Sequence, residues 1–161
     1  MKIVLYLAVV IAVSSVCLLS GYFLGRKSRE KELCAMQNSN YKNSEFYKLV
    51  VKWLFLKQIQ ESIEDYFDEK HYSKIAIYGM HYLGERLLKE LEGSNIQVLY
   101  GIDRNADNIN CRVSMIKPED DLPKVDVIIV TAIADFESIK KMLQDKVAYP
   151  VVSLKDVIEY I

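Results

Sequence analysis

Between Lys74 and Asp103 the chain reads KIAIYGMHYLGERLLKELEGSNIQVLYGID, and this stretch leaves few folds open. Ile75, Ala76, Ile77 and Tyr78 form a short run of strand character that stops at Gly79, a residue suited to a sharp turn. Leu83, Leu87, Leu88 and Leu91 then recur with Glu85, Arg86, Lys89 and Glu90 between them, which predicts a helix with one apolar stripe. Gly93 is its expected stop. Ile96, Val98 and Ile102 supply a second strand that ends at Asp103. Strand, tight turn, helix and strand make a βαβ unit, whose two strands must be parallel.

The alternation continues to the end of the chain. Cys111, Val113 and Met115 suggest a short strand, and Lys117 to Pro123 a loop. Val125, Val127, Ile128, Ile129 and Val130 form the strongest strand, continuous in apolar character as a parallel strand covered on both faces should be. Thr131 stands at its carboxyl end. A helix is expected from Asp135 to Gln144 with Phe136, Ile139, Met142 and Leu143 inward, then a strand at 150–154 and a closing helical turn from Asp156. Right-handed crossovers order five such strands 3-2-1-4-5.

Gly79-Met80-His81-Tyr82-Leu83-Gly84 overlays the G-x-G-x-x-G turn in its first and last glycines, and Asp103 follows Gly84 at about the 20-residue spacing of a ribose-binding carboxylate. The stretch resembles Rossmann-type dinucleotide-binding proteins. His81 replaces the middle glycine, whose missing side chain lets a pyrophosphate lie against the backbone, and so tells against tight NAD binding. The helix N-terminus still offers unpaired N–H groups to an anion, with His81 as a further donor. Each of these residues also has a plain structural role: the glycines for turn and packing, Asp103 as a cap for the turn-forming Asp-Arg-Asn-Ala-Asp-Asn. The binding set expected on this reading is Gly79, Met80, His81, Gly84, Asp103, Arg104 and Thr131, converging where ligands sit in open parallel sheets. Asp103 favours NAD over NADP by repelling a 2′-phosphate, an argument that Arg104 blurs.

The N-terminal part has another character. Ile3 to Leu24 is uncharged and at helical rise spans about 33 Å, enough for a bilayer core of about 30 Å. The segment reads as a transmembrane helix, because a cleaved signal peptide would have a shorter apolar region and a small-x-small cleavage site. Arg26, Lys27, Arg29 and Lys31 follow it, whereas Lys2 alone precedes it, which puts the C-terminal domain in the cytoplasm of a single-pass protein of the cell membrane. Cys17, Cys34 and Cys111, with His71 and His81, are too few and scattered to predict a metal site. A net charge of −1 gives no case for nucleic acid.

Leu33 to Ser44 is polar and without periodicity, the pattern of a linker, and Ser44 is a candidate N-cap. One amphipathic helix is expected from Glu45 to Lys70, with Leu49, Trp53, Leu56, Ile59, Ile63, Tyr66 and Phe67 at its repeats. FYKLVVKWLFL is apolar nearly all round, more than one buried stripe requires. Either Trp53 and Phe55 cover the sheet, or the helix containing Trp53 meets a partner, with a homo-oligomer contact as the sharper reading. Tyr66 and Lys70 match the Tyr-x-x-x-Lys pair of short-chain dehydrogenases only by chance, since that pair belongs after the nucleotide-binding turn.

The expected organisation is an anchor with its basic flank over 1–32, a linker over 33–44 and a Rossmann-like domain over 45–161. This is an α/β chain: half a Rossmann-like fold with a five-stranded parallel sheet, preceded by an amphipathic helix and a transmembrane helix. Ile-Ala-Ile-Tyr-Gly, Tyr-Gly-Ile-Asp-Arg-Asn and Val-Asp-Val-Ile-Ile-Val-Thr together look like small Rossmann domains of bacterial surface-polysaccharide systems, similar to the nucleotide-binding parts of nucleotide-sugar dehydratases and epimerases. The resemblance implies a domain that binds a nucleotide or nucleotide-sugar, or keeps the fold for a structural role, with a glycan-biosynthesis protein as its partner. With the anchor, the half-fold and the absent catalytic groups, the preferred reading is a membrane-anchored, non-catalytic nucleotide-binding or regulatory module of surface-glycan assembly. Two alternatives stay open: an NAD(P)-dependent oxidoreductase or epimerase subunit completed by a partner chain, and a scaffold that binds no small molecule. No constellation of acid, base and nucleophile is present in the motif.

Overall fold

The structure, a computed structural model, describes the backbone of residues 2–161 and the side chains of residue 26 and of 29–161. The chain divides into two units, Met1–Asn43 and Ser44–Ile161. In the first, the backbone is helical, part of helix α1 (Lys2–Gln58). Arg26 Nε donates to Glu30 Oε1 at 3.0 Å, one turn on. The transmembrane reading falls on Ile3 to Leu24, whose side chains lie outside the described residues. Among the described residues no helix is long and apolar enough to cross a membrane.

Leu33 to Ser44, expected to be an irregular linker capped at Ser44, is helical throughout. Its Asn and Ser residues lower helix propensity, but no Gly or Pro interrupts the run, and Ala35, Met36, Gln37 and Lys42 are good formers. Ser44 therefore stands inside a helix and not at its start.

In the second unit the single helix expected from Glu45 to Lys70 is two. Helix α1 ends at Gln58, and α2 covers Glu64–Glu69. Gln60 takes a positive φ of 64°, its N–H donates to Lys57 O at 3.3 Å, and the Glu61 N–H donates to Leu56 O at 3.0 Å. That pair of bonds is a Schellman closure, which satisfies the last carbonyls of the helix. A glutamine fills the position where glycine would have announced the stop. Ser62 Oγ then accepts the Glu64 N–H at 3.2 Å and starts α2.

Five strands follow, β1 (Lys74–Tyr78), β2 (Gln97–Ile102), β3 (Ser114–Ile116), β4 (Val127–Val130) and β5 (Val151–Ser153). They form one parallel sheet in the order β3-β2-β1-β4-β5, the order expected from the sequence. The helices are α3 (Tyr82–Glu90) after β1, α4 (Phe136–Gln144) after β4 and α5 (Leu154–Tyr160) after β5. The architecture is Rossmann-like in general form.

Alternation along β1 separates two cores. Ile75 and Ile77 pack with Leu83 and Leu87 of α3, Val157 and Ile158 of α5, and Leu49, Trp53 and Leu56 of α1. Ala76 and Tyr78 face the opposite side, with Ile139 and Leu143 of α4, Ile128, Val130 and Tyr100. Trp53 thus covers the sheet, and its indole Nε1–H donates to Glu90 Oε2 at 2.9 Å. Lys57 Nζ lies 2.7 Å from the other oxygen of Glu90. Phe55, paired with Trp53 in the sequence reading, instead points outward and is 55% exposed.

The chain leaves β1 toward β2 on one side and β4 toward β5 on the other, so α3 and α4 lie on opposite faces. Between β1 and β4 the connections diverge. That is the topological switch point of an open parallel sheet, where a crevice opens at the carboxyl ends of the strands.

Candidate functional site

The turn after β1 is built by two glycines with different tasks. Gly79 has φ +92°, and a Cβ there would sit 2.7 Å from Thr131 Oγ1. Gly84 lies in the first turn of α3, where a Cβ would press into the carbonyl oxygen of Gly79. The helix can approach the turn this closely only because Gly84 has no side chain.

Thr131, the first residue after β4, clamps the turn from the other side. Its N–H donates to Tyr78 O at 2.9 Å. Its hydroxyl lies 3.1 Å from Tyr78 O and 2.6 Å from Gly79 O and donates toward both. Thr131 is buried, as is Met80, whose side chain fills the space over Gly101.

Asp103, at the tip of β2, is 8% exposed. Its Oδ2 accepts the Met80 N–H at 3.1 Å, and its Oδ1 accepts the Asn105 N–H at 2.9 Å. The carboxylate therefore holds the glycine turn and its own loop together. A carboxylate offers about four acceptor positions, so these two bonds leave capacity for further donors.

Around these residues lies a cavity of about 550 Å³, lined by Tyr78, Gly79, His81, Asp103, Arg104, Ala132, Asp135, Ser138 and Ile139. Of the set expected from the sequence, Gly79, His81, Asp103 and Arg104 line it. Met80, Gly84 and Thr131 form the framework beneath. Tyr78 and the first turn of α4, with Asp135 and Ser138, complete the wall and were missed by the sequence reading. The signal was available: Tyr78 ends β1 beside Gly79, and Asp135 and Ser138 follow β4 at the same carboxyl edge.

The electrostatics are mixed. His81 is the exposed N-cap of α3 and makes no side-chain capping bond. The first intrahelical bond runs from the Glu85 N–H to His81 O at 2.9 Å, so the N–H groups ahead of it concentrate positive partial charge at the crevice edge. Burial pushes the Tyr78 phenol above its ordinary pKa, and the positive charge of the neighbouring Arg104 guanidinium opposes that shift. Asp103 and Asp135 place two carboxylates across the same opening.

No family model, curated protein or solved structure gives a significant match to this chain.

Proposed function

We propose that the chain is a membrane-anchored, non-catalytic module that binds a nucleotide or nucleotide-sugar in surface-glycan assembly. The observation that carries the binding part is the cavity of about 550 Å³ at the switch point, between the N-terminus of α3 and the first turn of α4. Its volume falls within the roughly 300–1,000 Å³ of small-molecule sites. The N-terminus of α3 suits a phosphate group, with the His81 imidazole as an additional donor. The free acceptor positions of Asp103 suit ribose hydroxyls.

The charges favour a diphosphate without a 2′-phosphate. Asp103 and Asp135 repel a further anion at that end, with Arg104 as the one cation among the lining residues to set against them. NAD and nucleoside diphosphate sugars meet this requirement, and NADP does not. His81 in place of the middle glycine occupies space that a closely bound dinucleotide would take, which supports a nucleotide-sugar over NAD.

The non-catalytic part rests on the lining. Asp103 holds two backbone N–H groups, and the Ser138 hydroxyl donates to the backbone carbonyl of Asp135 at 2.8 Å. The anchor rests on the uncharged run from Ile3 to Leu24 and its basic flank. The glycan setting rests on the resemblance of the β1, β2 and β4 segments. Isothermal titration of the full chain in mild detergent against NAD, NADP, UDP-, GDP- and CDP-sugars tests the reading. Micromolar binding to one nucleotide-sugar class is expected; binding to none of them by folded protein would leave the scaffold alternative.

A further inference from the structure

Helix α1 is apolar on two sides, and its own domain uses one. Leu49, Trp53 and Leu56, at spacings of four and three, are buried against the sheet. Tyr47, Val50, Val51, Leu54 and Phe55 follow the i, i+3, i+4, i+7, i+8 pattern of a second stripe on the outer side. They are between 37% and 69% exposed, flanked by Phe46 and Ile59, which are exposed too. Among the described residues, every large exposed hydrophobic side chain except Tyr82 and Tyr160 lies on α1 or, like Ile59, just beyond its end.

We infer that this outer stripe is the contact between two copies of the chain, packed helix against helix about a twofold axis. A twofold contact brings the same patch from each copy together, and this stripe has no charged member to oppose its own image. Spacings of three and four are those at which side chains of one helix enter the gaps of another. The exposed parts of the seven side chains amount to about 500 Å² per copy, hence about 1,000 Å² for a pair, from typical side-chain areas. A specific interface needs about that much.

A lipid surface fits less well. A helix that lies in a membrane interface carries its charged face opposite the apolar one, whereas the opposite face of α1 is Leu49, Trp53 and Leu56, already buried. The pairing is independent of the binding reading, because no residue lining the crevice belongs to α1.

The test is the molar mass of the full chain in mild detergent, by light scattering after size exclusion at about 1 to 100 μM. The wild type and a control, Gln144→Glu on the exposed side of α4, should both be dimers. Val51→Glu/Leu54→Glu should be monomeric, its dissociation constant raised at least about 100-fold, with unchanged circular dichroism. If that variant loses its helical signal, Leu54→Gln alone should still weaken the dimer by about tenfold. A monomeric wild type at about 100 μM would overturn the inference. So would a dimer indifferent to the stripe variants, which would place the contact elsewhere, or a monomer that binds phosphatidylglycerol vesicles through the same residues.

Discussion

The two ends of β1 are held by the same device, and at the carboxyl end that device forms part of the lining of the cavity of about 550 Å³. At the amino end, Asp126 Oδ2 accepts the Ser73 N–H at 2.9 Å, the Ser73 hydroxyl at 3.2 Å and the Lys74 N–H at 2.7 Å. At the carboxyl end, Asp103 accepts the N–H groups of Met80 and Asn105. Each carboxylate comes from beside a neighbouring strand and ties down the backbone of β1. Asp126 spends one oxygen on three donors in a partly exposed position, and none of the cavities described is lined by it. Asp103 is buried beneath the crevice with acceptor capacity remaining. A fastening residue becomes a candidate binding residue only where the topology leaves room beside it.

The sharpest way to break the carboxyl end is Gly84→Ala. The new methyl would meet the backbone oxygen of Gly79, which cannot swing aside as a side chain can. A loss of about 3 kcal/mol is expected, the upper range for overpacking, measured by chemical denaturation of the full chain. The equivalent step at Gly93, where a Cβ would meet nothing but φ is +89°, should cost less, about 1 kcal/mol from backbone strain alone.

Asp103→Ala and Asp126→Ala set the two clamps against each other. The first leaves a buried Met80 N–H without an acceptor and should cost about 2–3 kcal/mol. The second exposes its freed donors to water and should cost about 1–2 kcal/mol. Equal losses in denaturation midpoint would remove the distinction drawn here.

The amino end also has a pH signature. Backbone hydrogen bonds from Lys74 and Ser73 hold the Asp126 carboxyl below its ordinary pKa. A lowered folded-state value means that this stabilisation is complete above the unfolded pKa of about 4 and is lost as pH falls through the folded one. The stability gap between wild type and Asp126→Asn should therefore be widest above about pH 5 and shrink toward pH 3. Denaturation curves across that range check it; a gap that is flat with pH would contradict the assignment.

The smallest expected effect is Thr131→Val, which keeps the backbone bond to Tyr78 and removes the hydroxyl from the carbonyl oxygens of Tyr78 and Gly79. About 1 kcal/mol should go. Ligand affinity should fall only as far as the turn loosens.

The fold was legible where periodicity and glycine act locally. Gly79 and Gly84 announced the turn, the leucine stripe announced α3, and the apolar run at Val127–Val130 announced β4 beside the central β1; strand order then followed from crossover handedness. Legibility failed where a residue took an uncommon role. Gln60 closes α1 in a conformation that sequence rules assign to glycine, so two helices read as one. The stretch at 33–44 reads as a linker because it is polar and lacks periodicity, although nothing in it stops a helix. Trp53 and Phe55 looked equivalent in sequence and face opposite ways.

At the site, the roles of the glycines in turn and packing and of Asp103 as a cap of its own loop were legible, but the bond from the Met80 N–H to Asp103 was not. That Asp103 binds the turn itself follows from a register in which Tyr78 pairs with Ile102, bringing the two strand tips level. Spacing along the chain carries no such information. Asp135 and Ser138 join the cavity because α4 starts just after the end of β4, at the carboxyl edge that the strand order had already marked.

The central claim is that the carboxyl end of β1 is a working site and the amino end a fastening. Isothermal titration of the nucleotide-sugar panel into the full chain, as wild type, Asp103→Asn and Asp126→Asn, tests it most directly. The account predicts micromolar binding to one class, weakened at least about tenfold by Asp103→Asn and unchanged by Asp126→Asn. Binding lost equally in both variants, or absent from folded wild type, would contradict it.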